Sequence, residues 1–135
     1  MEKEFVTYEV ALALKELGFN EKCMGYFDVR LEHQLGNFDF TEIKGYDKSI
    51  AALSPLKQQV FRWFREKYEL IASIRYNMFP DMSGKQYYFE YGYRTSGERY
   101  LTYEEAENAC IDKLIEIANS QKDIDVPLSK QQNNA

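Results

Sequence analysis

Between Leu70 and Tyr93 the hydrophobic period of the sequence is that of a strand, interrupted by one polar break. Leu70, Ala72, Ile74, Tyr76 and Met78 alternate with Ile71, Ser73, Arg75 and Asn77. Past the break at Pro80, Asp81, Met82, Ser83 and Gly84, the residues Tyr87, Phe89, Tyr91 and Tyr93 alternate with Gln86, Tyr88, Glu90 and Gly92. A period of two sends successive side chains to opposite faces, so this stretch predicts an antiparallel hairpin with one apolar face. A turn centred on Met82 and Ser83 pairs Tyr76 with Phe89, Ile74 with Tyr91, Ala72 with Tyr93 and Arg75 with Glu90. That register sets apolar against apolar and opposite charges against each other. A sheet with one apolar face must be covered by a second layer, and the rest of the chain has to supply it.

Three helical segments can do so. Val10, Leu14 and Leu17 fall at helical spacing after Thr7, which can cap the start, and before Gly18, which can end the helix in the left-handed conformation. A second helix is expected over 55–69, with Ser54 as N-cap and Pro55 at the first helical position. There Leu56, Val60, Phe61, Trp63, Phe64 and Tyr68 share one arc, while Arg62, Arg65, Glu66 and Glu69 lie across from it. The third opens on a capping box of Thr102 and Glu105 and is expected to persist to about residue 119. Two short apolar pieces, 23–27 and 38–43, are separated by the polar stretch 28–37, closed by 44–47, and read as a second hairpin. The order α-β-β-α-β-β-α gives an α+β fold, a four-stranded, mainly antiparallel sheet with helices packed on one face. Residues 1–120 are expected to form a single α+β domain, with 121–135 as a flexible polar C-terminal tail.

Composition closes off several classes. At 135 residues with 44% hydrophobic and 16% aromatic side chains, the chain has too much apolar surface for a disordered polypeptide. A net charge of −5 argues against non-specific coating of duplex DNA, which cations drive. No stretch has the roughly 20 apolar residues that span a bilayer. The start Met1, Glu2, Lys3, Glu4 resembles no export signal, so no membrane partner and a cytoplasmic location are expected. Cys23 and Cys110 are far apart with no second pair, which fits reduced thiols and neither a disulfide framework nor a zinc site. The glycine-rich, phosphate-loop, zinc-protease, nucleophile-elbow and paired-cysteine signatures are all missing. His33, the single histidine, falls in the polar stretch expected to be a surface loop. Glu104, Glu105 and Glu107 open a helix, where acids complement the dipole. No catalytic residue, metal ligand or cofactor is assigned, and the chain is expected not to be an enzyme.

Charge and aromatic residues are distributed unevenly. Residues 1–54 carry 6 basic and 10 acidic groups, 55–100 carry 8 and 5, and 101–135 carry 3 and 7. The basic middle also holds 12 of the 21 aromatics. Arginine pairs with phosphate while tyrosine and tryptophan stack on flat rings, a combination suited to nucleotides. Trp63, Phe64, Tyr76, Phe89 and Tyr91 fall on core faces. Arg75 has Glu90 across the hairpin, and Arg62 and Arg65 have Glu66 and Glu69 four residues on. Tyr88, Arg94 and Arg99, around the Gly97 bend, are left without a local partner. Tyr88, Arg94, Arg99, Arg62 and Arg65 are therefore the candidate ligand-binding residues.

The stretches SPLKQQVFRWFREKY (54–68), TYEEAENAC (102–110) and KLIEI (113–117) resemble a family of small proteins carried by phages and prophages of gut bacteria. The likeness covers most of 7–118, and FRWFREK is its most specific part. It implies a phage accessory protein in the cytoplasm of the infected host cell, and it supplies no activity and no catalytic residues to carry over. The expectation is a non-enzymatic binding protein, a homo-oligomer, that counters host defence by sequestering a small nucleotide-type signal. The alternative is a protein-interaction module that binds and inhibits a host protein. A hydrolase that attacks a nucleotide through carboxylates and a metal is the third class.

Overall fold

The computed structural model describes residues 2–38 and 50–133, and the chain is an α+β protein. A short 3-10 turn (Glu2–Glu4) precedes helix α1 (Tyr8–Glu16) and strands β1 (Cys23–Asp28), β2 (His33–Phe38) and β3 (Ile50–Leu53). Helix α2 (Lys57–Tyr68), strands β4 (Ala72–Tyr76), β5 (Tyr87–Tyr91) and β6 (Arg94–Thr95), and helix α3 (Tyr103–Asn133) follow. The strands form two three-stranded antiparallel sheets, β2-β1-β3 and β4-β5-β6, in place of the single four-stranded sheet expected. The chain divides into two compact units, Met1–Trp63 and Phe64–Ala135.

In the first unit, α1 begins and ends as its sequence dictates. Thr7 Oγ1 accepts from the Val10 N–H at 3.4 Å. Gly18, at φ 94°, closes the other end with bonds from its own N–H to Lys15 O and from the Phe19 N–H to Leu14 O. The polar stretch after β1 is not one long connection. Asp28 O accepts from the Leu31 N–H, and Asp28 Oδ1 accepts from the N–H groups of Arg30 and Glu32, so the chain reverses within four residues. β2 therefore starts at His33, inside the stretch expected to be a loop, and pairs His33 with Phe27. Polar residues suffice there because, among the described residues, β2 is an edge strand, with Leu35 facing solvent. Of the expected strand over 38–43 and its closing turn, residues 39–49 lie outside the described residues.

Ser54 does not cap α2. It is fully buried, its hydroxyl donates to Val6 O at 3.2 Å and lies 3.2 Å from His33 Nε2, and the helix starts three residues later. The Val6 N–H bonds to Pro55 O, and Phe5 bridges to Leu56, so 54–56 is extended chain tied to the N-terminal segment. The apolar arc of α2 is as expected: Val60, Trp63 and Phe64 are buried, and Trp63 meets Phe19 edge-on at 5.3 Å.

In the second unit β4 and β5 form the expected hairpin with the expected faces, but the register is displaced. Tyr76 pairs with Tyr87, Ile74 with Phe89, Ala72 with Tyr91, and Arg75 with Tyr88. The displacement is by two residues, so every side chain keeps its face. Its cause lies in the turn. The Asn77 N–H bonds to Gln86 O, and the next pair is Asp81 N–H to Lys85 O, leaving Met78, Phe79 and Pro80 looped out on one side only. Pro80 has no N–H to give a ladder, and Asp81 Oδ1 gathers the Ser83 hydroxyl and the N–H groups of Ser83 and Lys85. Arg75 still reaches Glu90, diagonally, at 3.8 Å.

The alternation also stops earlier than expected. Gly92 at φ 62° and Tyr93 form a two-residue hairpin loop with glycine first, as a type II′ turn requires, so Tyr91 pairs with Arg94 and Tyr93 stands at the tip. On α3, Ala106, Cys110, Leu114 and Ala118 are fully buried and form one stripe at helical spacing. Thr102 Oγ1 accepts from the Glu105 N–H at 3.2 Å, and Glu105 Oε2 accepts from the Leu101 N–H. The helix continues to Asn133, past residue 119, and takes in Pro127. No helix of the described residues is long and apolar enough to cross a membrane.

Candidate functional site

The pleat of the second sheet decides which candidate residues can meet. Tyr87, Phe89 and Tyr91 point to one face of β5, and Tyr88 and Glu90 to the other. Arg94, opposite Tyr91, joins the Phe89 face; Tyr100, bridged to Tyr87 by mutual backbone bonds, does so too. Thr95, opposite Glu90, and Arg99, next to Tyr100, fall on the Tyr88 face. The sheet itself thus stands between Arg94 and the pair Tyr88 and Arg99.

On the Tyr88 face a concavity of about 210 Å³ is lined by Asn77, Tyr88, Thr95, Ser96, Glu98 and Arg99. It does bring Tyr88 and Arg99 together. The Arg99 guanidinium, however, donates to Phe79 O at 2.9 Å. Its charge also helps hold the Asp81 carboxyl below the ordinary carboxylate range, behind the larger effect of the Ser83 hydroxyl and the Lys85 N–H. Arg99 is engaged in holding the 77–85 loop.

On the other face a cleft of about 500 Å³ opens between the β5–β6 end of the sheet and α3. Leu70, Ile71 and Ile117 give it apolar walls, Tyr91 and Tyr93 supply rings, and Arg94 and Lys113 supply cations, with Glu69 at the margin. The Arg94 guanidinium carbon lies 5.9 Å from the Tyr93 ring centre, and Lys113 Nζ lies 5.9 Å from that of Tyr91. Lys113 also reaches Glu116 at 3.3 Å, whereas Arg94 makes no ion pair among the described residues. The volume is within the roughly 300–1,000 Å³ of small-molecule sites, and the smaller concavity is not.

Arg62 and Arg65 line neither space. Both are exposed on α2, and Arg62 pairs with Glu21 at 3.5 Å in place of Glu66. Glu69 is no longer at a helical position four residues beyond Arg65, because its φ of 57° carries it out of the helix. Lys113, which is not among the candidate residues, lines the cleft. A lysine in the otherwise apolar stripe of Ala106, Cys110, Leu114 and Ile117 was the available signal.

The remaining reactive groups are built into packing. His33 is half-buried between the Phe5 and Phe27 rings, at centroid distances of 4.7 and 5.1 Å, which corrects its expected place on a surface loop. Cys23 is buried with its thiol donating to Glu21 O, and burial together with the charge of Glu107 pushes the Cys110 thiol up to about 12. A thiol so raised is a poor nucleophile at neutral pH. Among the described residues no group of three or more His, Cys, Asp or Glu side chains is arranged to hold a metal ion. No family model, curated protein or solved structure matches the chain.

Proposed function

We propose that the chain acts by binding, without catalysis, and that it holds a small nucleotide-type anion in the cleft of Arg94 and Lys113. The observation that carries this reading is an arginine with no ion pair among the described residues, set beside two tyrosines and a lysine in a cleft of about 500 Å³. In it Arg94 and Lys113 take the phosphate charge, Tyr91 and Tyr93 stack on the base, and Leu70, Ile71 and Ile117 border the flat ring. The likeness to small phage proteins extends this to a role: an accessory protein in the host cytoplasm that withholds a nucleotide signal from host defence. Tyr88, Arg99, Arg62 and Arg65 have no part in this site.

Calorimetry of the full chain against cyclic dinucleotides, mononucleotides and ADP-ribose-type compounds tests it. One class should give heat, a thermal shift and unchanged ligand on recovery. Tyr93→Ala should weaken binding by roughly 5- to 150-fold, the span of one lost stacking contact. Arg94→Ala should weaken it at least as much. No heat from any compound, or binding untouched by Arg94→Ala, rejects the cleft.

A second reading, a module that inhibits a host protein, is favoured by one feature. Met78, Phe79 and Met82 are 73%, 75% and 107% exposed on a loop that polar bonds hold in place. Contiguous exposed apolar side chains mark interaction sites. It predicts that a host protein recovered with the wild type is lost with Phe79→Ser and Met82→Ser. Recovery unaffected by both substitutions counts against it.

A further inference from the structure

We infer that the outer edge of β4 is a self-association surface, occupied by the same edge of a second copy of this chain in an antiparallel register centred on Ile74. The bonds from the Asn77 N–H to Gln86 O, at 2.8 Å, and from the Gly92 N–H to Ile71 O, at 2.9 Å, fix which backbone groups of β4 turn toward β5. Residues 71, 73, 75 and 77 turn inward, so by alternation the N–H and C=O groups of Ala72, Ile74 and Tyr76 turn outward. Among the described residues β4 is the terminal strand of its sheet, and these outward groups have no hydrogen-bond partner. Ser73, Arg75 and Tyr76 are exposed, as is Ile71 just before the strand. Natural edges are blunted with charged side chains, proline or a bulge; β4 has neither proline nor bulge, and its one charge, Arg75, is drawn toward Glu90 of β5 at 3.8 Å.

The side chains select the partner and the register. About a two-fold at Ile74, Ile74 meets Ile74, Ala72 meets Tyr76 and Ser73 meets Arg75 of the second copy. Every outward N–H and C=O then finds its counterpart, since 74 with 74 and 72 with 76 are hydrogen-bonded pairs. The small Ala72 sets no bulk against Tyr76, whose ring packs on Tyr87 with its hydroxyl accepting from Gln86 Nε2 in its own sheet, and each arginine lies across from a serine. Moving the two-fold to Arg75 sets arginine against arginine; moving it to Ser73 leaves Tyr76 beyond the end of the opposing strand. The result is a continuous sheet β6-β5-β4-β4-β5-β6, isologous and closed. A ladder of one short strand is smaller than a standard stable interface, so the dimer is reversible and concentration-dependent. This inference does not depend on the binding cleft.

Sedimentation equilibrium of the full chain over a range of concentrations tests it, with Ser73→Arg and Ser73→Glu beside the wild type. The substitution acts at both symmetry-related Ser73–Arg75 contacts, so Ser73→Arg should raise the dimer dissociation constant roughly tenfold and Ser73→Glu should lower it by a similar factor. Ser73 also lies opposite Glu90 within its own sheet, so Ser73→Arg gains an attraction there, and lost dimer is not lost fold. Amide exchange of the wild type supplies a measure that needs no variant: Ala72, Ile74 and Tyr76 N–H groups should slow as concentration rises. A chain that stays monomeric at every concentration overturns the proposal. So does a dimer that both substitutions leave unchanged, which would place the contact on another surface, and so do amides whose exchange ignores concentration.

Discussion

Gly25→Ala is the perturbation in which two opposing effects can be weighed from the geometry. Gly25 lies in β1, next to an irregularity in its pairing with β2, and its carbonyl accepts from the Ser54 N–H at 2.9 Å. Replacing a strand glycine by alanine ordinarily gains about 0.5–1 kcal/mol, because the unfolded chain loses freedom. Here a Cβ would stand 2.8 Å from His33 Nε2, 3.0 Å from Phe5 Cε1 and 3.1 Å from His33 Cε1. The imidazole cannot swing aside, since Phe5 and Phe27 flank it at 4.7 and 5.1 Å and Ser54 Oγ lies 3.2 Å from its Nε2. Overpacking of a held group costs about 1–3 kcal/mol, so against that gain the central expectation is a net loss of about 1 kcal/mol, and at most about 2.5 kcal/mol. Urea unfolding followed by fluorescence measures it in the right unit, because the only tryptophan is Trp63, buried against Phe19. Repeating Gly25→Ala in a His33→Ala background closes a double-mutant cycle, and the cost should largely vanish there because two of the three contacts are gone. Gly25→Ala as stable as wild type, or a cost that persists when His33 is truncated, would refute the reasoning.

Three further outcomes follow from single side chains. Leu114 is fully buried on α3, so Leu114→Ala should cost about 2.5–5 kcal/mol in thermal or urea unfolding, with the low end expected only if the site collapses. Cys110, raised to about 12 and buried, and Cys23, also buried, should resist thiol reagents in the native state; fast labelling of either before unfolding would contradict their place in the core. The Glu32 N–H, with the Arg30 N–H and the Gln34 amide, holds the Asp28 carboxyl below its ordinary value against some loss of hydration. A carboxyl lowered on folding stabilises the protein above its unfolded value, about 3.9, and that contribution is lost as pH falls through the folded value. Asp28→Asn should therefore flatten the stability profile on the acid side, and an unchanged profile would show the turn does not depend on the charge.

Elements fixed by local chemistry were legible, and elements fixed by a partner elsewhere in the chain were not. Thr7, Gly18 and the Thr102–Glu105 box mark helix ends with bonds spanning a few residues, and each does what its residue type implies. Ser54 followed by Pro55 has the same local appearance, yet the Ser54 hydroxyl goes to Val6 and His33 and the Pro55 carbonyl to Val6. Those competing partners lie 48 and 21 residues away from Ser54 in the chain, where no local pattern can show them. β2 was hidden for another reason. An edge strand needs few apolar residues, and the tight reversal at Asp28 rests on two backbone bonds to its carboxylate, which look in sequence like any polar loop.

The candidate site was legible by composition and not by side. Tyr88, Arg94 and Arg99 were grouped because they are close in sequence around one bend. In a sheet, closeness in sequence is no guide to a shared face; parity is. Tyr88 is even with Glu90, Arg94 is set by the two-residue turn at Gly92 to oppose Tyr91, and Arg99 precedes the residue that bridges to Tyr87. Had the alternation run unbroken through Tyr93, Arg94 would have fallen with Tyr88. The turn reverses that, because a two-residue loop makes Arg94 the partner of Tyr91 and so delivers it to the helix-covered face. Gly92 is thus the residue on which the cleft depends, although it carries no chemistry. An added Cβ there meets nothing within 4 Å, so the space is free and only the φ of 62° resists a side chain. Gly92→Val, which disfavours that φ most strongly, should weaken the proposed nucleotide binding by displacing Arg94 from Tyr91 while leaving the β4–β5 ladder intact by amide exchange. Binding that survives Gly92→Val at full strength would mean that Arg94 does not need its place on that face.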